Sequence, residues 1–441
     1  MTASEKIRAG AFSLKTWFTP RARSFYRQLK WEETLRGEER QAYILQRIRS
    51  IVKCAYEQSP FYNKLYKSIG FHPDDLKSLS DFEKLPPVGK RDIQEHCSDF
   101  FTRDTTPSMR RISTTGGSTG VPISVYHDKR VPIDAVGWWL LEKWGLYAGA
   151  NAGFFFRYKP RHSLRNSIIW YPTRRVFGDA SLISDESCLR FYENCREAKV
   201  RYLCGYVGAL MDLAEFMRKR QLSIPSLRTV WTTSAPLTEF VRRQMADAFG
   251  CPVFSQYGCC EMFWLAAECP ELSGLHQFDT IRHLEVVDAE FKNLPDDQYG
   301  EVLLTDFLNR VFPLIRYRNG DRAAKSSKTC PCGSNFPLLL PVRGRTTDMI
   351  KLPSGRVLSG DFLTTLFDAY PFAVSAFQLV QHQDLSLTLR CVPLSAEAAP
   401  IVKKVVNDLS AKIQNEVPIT SVMEEHIDND RGKFRYIVRE N

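Results

Sequence analysis

Ser113, Thr114, Thr115, Gly116, Gly117, Ser118, Thr119 and Gly120 place three glycines and five hydroxyl side chains in eight positions, just after Arg110 and Arg111. Backbone amides of a glycine-rich turn can converge on an anion, and small hydroxyls add donors without bulk. The stretch is not a P-loop, because Val121 stands where that motif carries lysine. Alone it reads equally well as a phosphate grip or as a flexible turn.

Further chemistry-bearing stretches follow in order. They are TTSAPL at 232–237, YGCCE at 257–261, YRNGD at 317–321 and GRTTDMIK at 344–351, with RGKFR at 431–435 near the end. Singly, each has a plain structural reading, since Tyr-Gly and Asn-Gly pairs are common in turns. A second constellation is Cys269 and His276, followed some fifty residues later by Cys330 and Cys332 in a C-P-C-G turn. Two thiolates on a tight turn and a Cys/His pair could complete a tetrahedral zinc shell with no open position, which makes such a site structural. The spacing is not that of a standard zinc finger, and four unrelated core or surface residues is the competing reading.

As an ordered set these motifs resemble the adenylate-forming (acyl-CoA synthetase) superfamily. SPFYNKLY, LPPVGKRDI and ECPELSGLH are similar to its phenylacetate-CoA ligase branch and relatives in capsule and natural-product biosynthesis, over nearly the whole chain from about residue 40. The resemblance implies ATP-dependent activation of a carboxylic acid as an acyl-adenylate, with release of pyrophosphate. The acyl group then passes to coenzyme A, or to an amine, a hydroxyl or a carrier-protein thiol. On this reading the loop from Ser113 to Gly120 holds the phosphates, and Ser234, Ala235 and Pro236 line the adenine pocket. Tyr257, Gly258, Cys259 and Cys260 lie along the nucleotide, Asp321 takes the ribose hydroxyls with Arg345 nearby, and Glu261 holds magnesium. Lys433 is the catalytic lysine, its charge meeting the negative charge that builds up at the reacting centre. Similar Cys, His, Cys-x-Cys sets occur in this branch as structural zinc sites. Two positions depart from the pattern: Cys260 replaces the usual threonine before the glutamate, and Thr347 replaces the first acidic residue of the hinge.

Elements must carry these residues. Before residue 110 the pattern is mainly helical, with Ile44, Ile48, Ile51 and Val52 at helical spacing. From 112 onward strand and helix patterns alternate, which argues for α/β layering. HLEVVDAEF and GEVLLTDF read as antiparallel strands, and the chain after 360 as a β-β-α-β unit ending in SVMEEHI. The expected organisation is a large domain over 1–345, mainly helical to 110, and a small mobile α+β domain over 346–441 that carries Lys433 and rotates about 346–348. Trp138, Trp139, Tyr206 and Phe263 are aromatic candidates for an apolar acyl pocket, which would suit an aromatic acid.

Bulk properties bound the alternatives. The 441 residues are 44% hydrophobic, enough for large cores, and carry a formal net charge of +10. Lys6, Arg8, Lys15, Arg21, Arg23, Arg27 and Lys30 against Glu5 put much of that excess into a basic amphipathic arm over residues 1–30. No apolar run approaches the roughly 18 residues that a spanning helix needs. With no signal-peptide pattern and dispersed cysteines, a cytoplasmic protein without disulfides is expected. A nucleic-acid partner is not expected, because no recognition motif accompanies the charge. A non-catalytic nucleotide-binding relative is the rival reading, disfavoured by the presence of Glu261, Asp321 and Lys433; a homodimer is left open.

Overall fold

In the computed structural model, residues 3–114, 123–156, 170–180, 183–343, 349–354, 357–359, 366–367, 370, 373–394, 397–427 and 436–440 are described. The chain builds two compact units by passing back and forth between them. One comprises residues 1–8, 149–255 and 343–441; the other comprises 9–148 and 256–342.

The first unit contains a parallel array in the order Arg175–Asp179, Ala152–Phe156, Tyr202–Tyr206 and Thr229–Thr233, followed by residues 253–255. Strands such as YLCGY and TVWTT are almost wholly buried, as parallel strands covered by crossover helices must be. The helices Asp185–Glu197, Val207–Lys219 and Glu239–Phe249 supply that cover. Ser184 caps the first by accepting the Ser187 amide, Thr238 caps the third by accepting the Val241 amide, and Gly250 ends it with φ of 65°.

The C-terminal stretch adds a sheet of its own to this unit. Val374–Gln381 pairs antiparallel with Leu387–Pro393, and Ile419–Met423 runs parallel beside the latter. Helix Ala398–Lys412 buries Val402, Val405 and Leu409 on one face, as its spacing predicts. The expected unit gains a further strand, Ile437–Arg439, parallel to Val374–Gln381. Three residues are too short to show a strand period, so nothing in the sequence marked it.

In the second unit helices Gly37–Gln58 and Pro60–Ser68 bury Ile44, Ile48, Ile51, Val52, Tyr62 and Tyr66 in one core with Phe100 and Phe312. A hairpin pairs Arg110–Thr114 with Ser124–Asp128. A meander of Arg282–Val287, Gly300–Asp306 and Tyr317–Ala323 follows, the first two joined as the sequence suggests. Two buried arginines are paired with carboxylates, which offsets the cost of taking their charge out of water. Arg316 meets Glu285 at 3.1 Å and donates to backbone carbonyls of Glu83, Leu85 and Phe291, while Arg282 meets Asp306 at 2.9 Å.

Candidate functional site

The second unit assembles a rigid polar array. Tyr257 donates its hydroxyl proton to Asp321 Oδ2 at 2.9 Å. Asn319 Nδ2 donates to the same carboxylate oxygen at 2.6 Å and to the Tyr257 oxygen at 2.9 Å. The Asp321 amide closes the array onto Asn319 Oδ1 at 3.1 Å. Burial first, and then the Asp321 charge, hold the Tyr257 hydroxyl well above its ordinary pKa, so it remains a donor. Read as a turn, YRNGD would leave Asp321 on a loop; it lies instead in the strand Tyr317–Ala323, with Gly320 at φ of 82° permitting a local irregularity.

Glu261 sits in the turn between the antiparallel strands Val253–Cys259 and Phe263–Glu268 and is only 8% exposed. The Tyr317 hydroxyl donates to its Oε1 at 3.0 Å. The turn is possible because the backbone closes tightly: an added Cβ at Gly258 would lie 2.0 Å from the Phe263 carbonyl oxygen. Phe263 itself takes φ of 62°, an uncommon conformation for a residue with a side chain. Burial, Glu261 and Asp321 together push the Cys259 thiol well up, so it stays protonated.

Beside this turn is a small cavity lined by Arg111, His127, Phe263, Arg282, Asp306 and Asn309, among others. His127 is 6% exposed, lies 4.3 Å from the Phe263 ring between centroids, and hydrogen-bonds the backbone of Cys260. Burial, with Arg111 and Arg282 nearby, lowers its pKa to about 4, so the ring is neutral at pH 7.

Cys269, His276, Cys330 and Cys332 converge, their donor atoms all within 4.8 Å of one another. Cys269 and Cys330 sulfurs are 3.5 Å apart, and Cys332 Sγ lies 3.4 Å from His276 Nε2. Zn–S bonds of about 2.3 Å in a tetrahedron put sulfurs about 3.8 Å apart, so the donor set fits a zinc ion. His276 Nδ1 faces the Phe336 carbonyl at 3.3 Å, leaving Nε2 aimed at the thiols. Gly333 at φ of 79° makes the turn that presents Cys330 and Cys332.

No family model matches the chain. Among curated proteins it is similar to the phenylacetate-coenzyme A ligase of Thermus thermophilus, 25% identical over 374 residues and covering 80% of this chain and 81% of that one. The Escherichia coli phenylacetate-coenzyme A ligase is 25% identical over 66% of this chain and 68% of its own. Protein CapK of Staphylococcus aureus is 19% identical over 79% and 80%. Among solved structures, a 2-hydroxyisobutyryl-CoA ligase in the postadenylation state shares the fold with a TM-score of 0.79 at 20% identity, over 93% of this chain and 91% of that one. The chain is thus similar in sequence to phenylacetate-coenzyme A ligases and shares the fold of a 2-hydroxyisobutyryl-CoA ligase.

The expected site residues distribute as follows. Tyr257, Gly258, Cys259, Cys260, Glu261 and Asp321 are gathered in the second unit around the turn just described. Ser234, Ala235 and Pro236 follow the strand Thr229–Thr233 in the first unit, with Ser234 at φ of 82°. They stand at the carboxyl end of a parallel strand, where open α/β sheets bind ligands. Tyr206 ends the neighbouring strand opposite Thr233 and packs edge-on against Phe156. Ser113 and Thr114 end one stem of the hairpin, whereas Thr115 to Gly120, Arg345 and Lys433 lie outside the described residues.

Two aromatic expectations need correction. Trp139 is 1% exposed, packs edge-on to Phe278 and Phe336, and donates its indole proton to Glu33 at 2.7 Å. Trp138 packs edge-on against Phe12 and Tyr26 of the N-terminal helices. Trp139 is committed to the core and Trp138 to packing against the N-terminal helices. Conversely Tyr317, Asn319 and His127 were not singled out; the first two lie inside the YRNGD motif, and His127 has no motif to mark it.

Proposed function

We propose that this protein joins a carboxylic acid to coenzyme A through an acyl-adenylate. A carboxylate oxygen attacks the α-phosphorus of ATP, the bond to the β-phosphate breaks, and pyrophosphate leaves. The thiol sulfur then attacks the acyl carbon, its proton is lost, and AMP departs with the electrons of the acyl–oxygen bond. The observation that carries this reading is the Tyr257–Asn319–Asp321 array, a carboxylate pre-positioned to accept hydrogen bonds from a ribose diol. Its curated relatives named phenylacetate-coenzyme A ligases support the choice of acid and acceptor class.

The remaining residues have matching tasks. Glu261, steadied by Tyr317, is suited to hold magnesium, which would neutralise phosphate charge. Lys433 would stabilise negative charge as it redistributes between carboxylate and α-phosphate, and its removal by rotation of 346–441 about 346–348 would admit the thiol. Cys269, His276, Cys330 and Cys332 would hold a structural zinc, since four protein ligands leave no place for substrate. Phe263, beside His127, is retained as an acyl-pocket candidate in the second unit and Tyr206 in the first.

ATP–pyrophosphate exchange over a panel of aryl and aliphatic acids tests the proposal, followed by mass analysis of products with coenzyme A. Acid-dependent exchange that is lost in Lys433→Ala and reduced in Asp321→Asn is expected. Absence of exchange with every acid, or undiminished exchange in Lys433→Ala, would overturn it.

A further inference from the structure

The basic N-terminal arm is not used by the proposed chemistry, and it carries an apolar tip. It forms two helices, α1 over Ala3–Trp17 and α2 over Pro20–Glu32. The inner side of α1 is accounted for, with Phe12 packed edge-on against Trp138. Its outer side is not polar: Leu14 is 64% exposed, Trp17 64%, and Phe18 at the turn into α2 is 81% exposed. Large apolar side chains exposed singly are ordinary, but three within five residues at one helix end form a patch.

Charge says what such a patch faces. From Lys6 to Trp31 the sequence contains no aspartate or glutamate, while Lys15, Arg21, Arg23 and Arg27 flank the tip in sequence. The Arg23 guanidinium lies over the Trp17 ring at 3.9 Å, and Arg21 and Arg27 are exposed on α2. Tryptophan and phenylalanine beside arginines suit the boundary between lipid headgroups and acyl chains, where rings bury and cationic heads stay with phosphates. No helix among the described residues is long and apolar enough to cross a membrane, so contact would be in the plane of the surface. We propose that the α1–α2 tip docks this protein on an anionic lipid bilayer, with Leu14, Trp17 and Phe18 seated in the interface and Arg21 and Arg27 against the headgroups. A fluid surface accommodates a protruding tip without the shaped groove a folded partner must provide.

Sedimentation of the full chain with phosphatidylcholine vesicles, with and without phosphatidylglycerol, tests this. Binding to the anionic vesicles alone is expected, falling at least tenfold in Leu14→Ser/Trp17→Ser/Phe18→Ser and in Arg21→Glu/Arg27→Glu. Circular dichroism and lipid-free pyrophosphate exchange should match wild type in both variants, which separates docking from folding and catalysis. Failure of wild type to bind, or wild-type binding by both variants, would overturn the proposal. So would a wild-type dimer that dissociates in the triple variant without any vesicle binding, since the tip would then belong to a second copy.

Discussion

In the proposed reaction Asp321 must be oriented before a nucleotide arrives, and Asn319 holds it from two sides, through its side-chain nitrogen and its side-chain oxygen. Asn319→Ala should therefore loosen the carboxylate while leaving its charge. A hydrogen bond to a charged group contributes about 1.5–3 kcal/mol, so the KM for ATP in pyrophosphate exchange should rise about tenfold or more, with kcat less affected. Equal falls in kcat and kcat/KM would instead place the effect in the transition state. The residue scale also shows what can be read from types and spacing. Tyr257, Glu261 and Asp321 carried motifs, and Cys269, His276, Cys330 and Cys332 carried ligand chemistry. Asn319 stood inside a motif without a legible task, because its partners are 62 residues away and two residues away at once. Trp139 misled for the opposite reason: an aromatic on an apolar helix has the same signature whether it lines a ligand or packs against Phe278.

At the scale of elements, the turn from Tyr257 to Phe263 depends on a backbone approach that leaves no room for a side chain at Gly258. Gly258→Ala would place Cβ against a carbonyl that belongs to a strand and cannot swing away. Stability should fall on the order of 3 kcal/mol, lowering Tm by several degrees, and magnesium-dependent exchange should fall with it because Glu261 rides on that turn. A thermal melt unchanged from wild type would show that the strand yields. The Cys/His cluster joins the strands around Leu275–Gln277 to the turn at Cys330 and Cys332 within the same unit. One zinc per chain by metal analysis is expected, with loss of metal and a lower Tm in Cys332→Ser or after chelation. Alternation of strand and helix patterns revealed the layered α/β elements and the meander. It could not reveal that YRNGD is a strand, since asparagine and glycine are turn residues and only pairing with Gly300–Asp306 overrides them.

The whole molecule mixes distant segments. Residues after 343 carry their own sheet, yet Val402 and Val405 share one apolar cluster with Leu213 and Met245. Such grouping depends on contacts across more than 150 residues, which periodicity does not encode. The second unit contains a consequence that spans the protein's pH range. His283 is partly buried, with the rings of Phe82 and Phe307 against it, and desolvation, with Lys325 and Arg316 nearby, lowers its pKa to about 3. His127 is lowered to about 4. Unfolded histidine titrates near 6.5, so between that value and the folded pKa the unfolded chain binds more protons, and stability must fall as pH falls. Two such groups give a slope approaching about 2.7 kcal/mol per pH unit below pH 6. The buried carboxyls of Asp279, Glu285 and Asp306 are raised by burial and act in the opposite sense, becoming stabilising as pH falls through the carboxylate range. In denaturant melts at pH 7.5, 6 and 5, His283→Phe, which keeps a ring among rings and removes the imidazole, should recover about 2 kcal/mol at pH 5 relative to its effect at pH 7.5. A variant whose stability tracks wild type at all three pH values would show that His283 takes up its proton in the folded protein over the same pH range as in the unfolded chain.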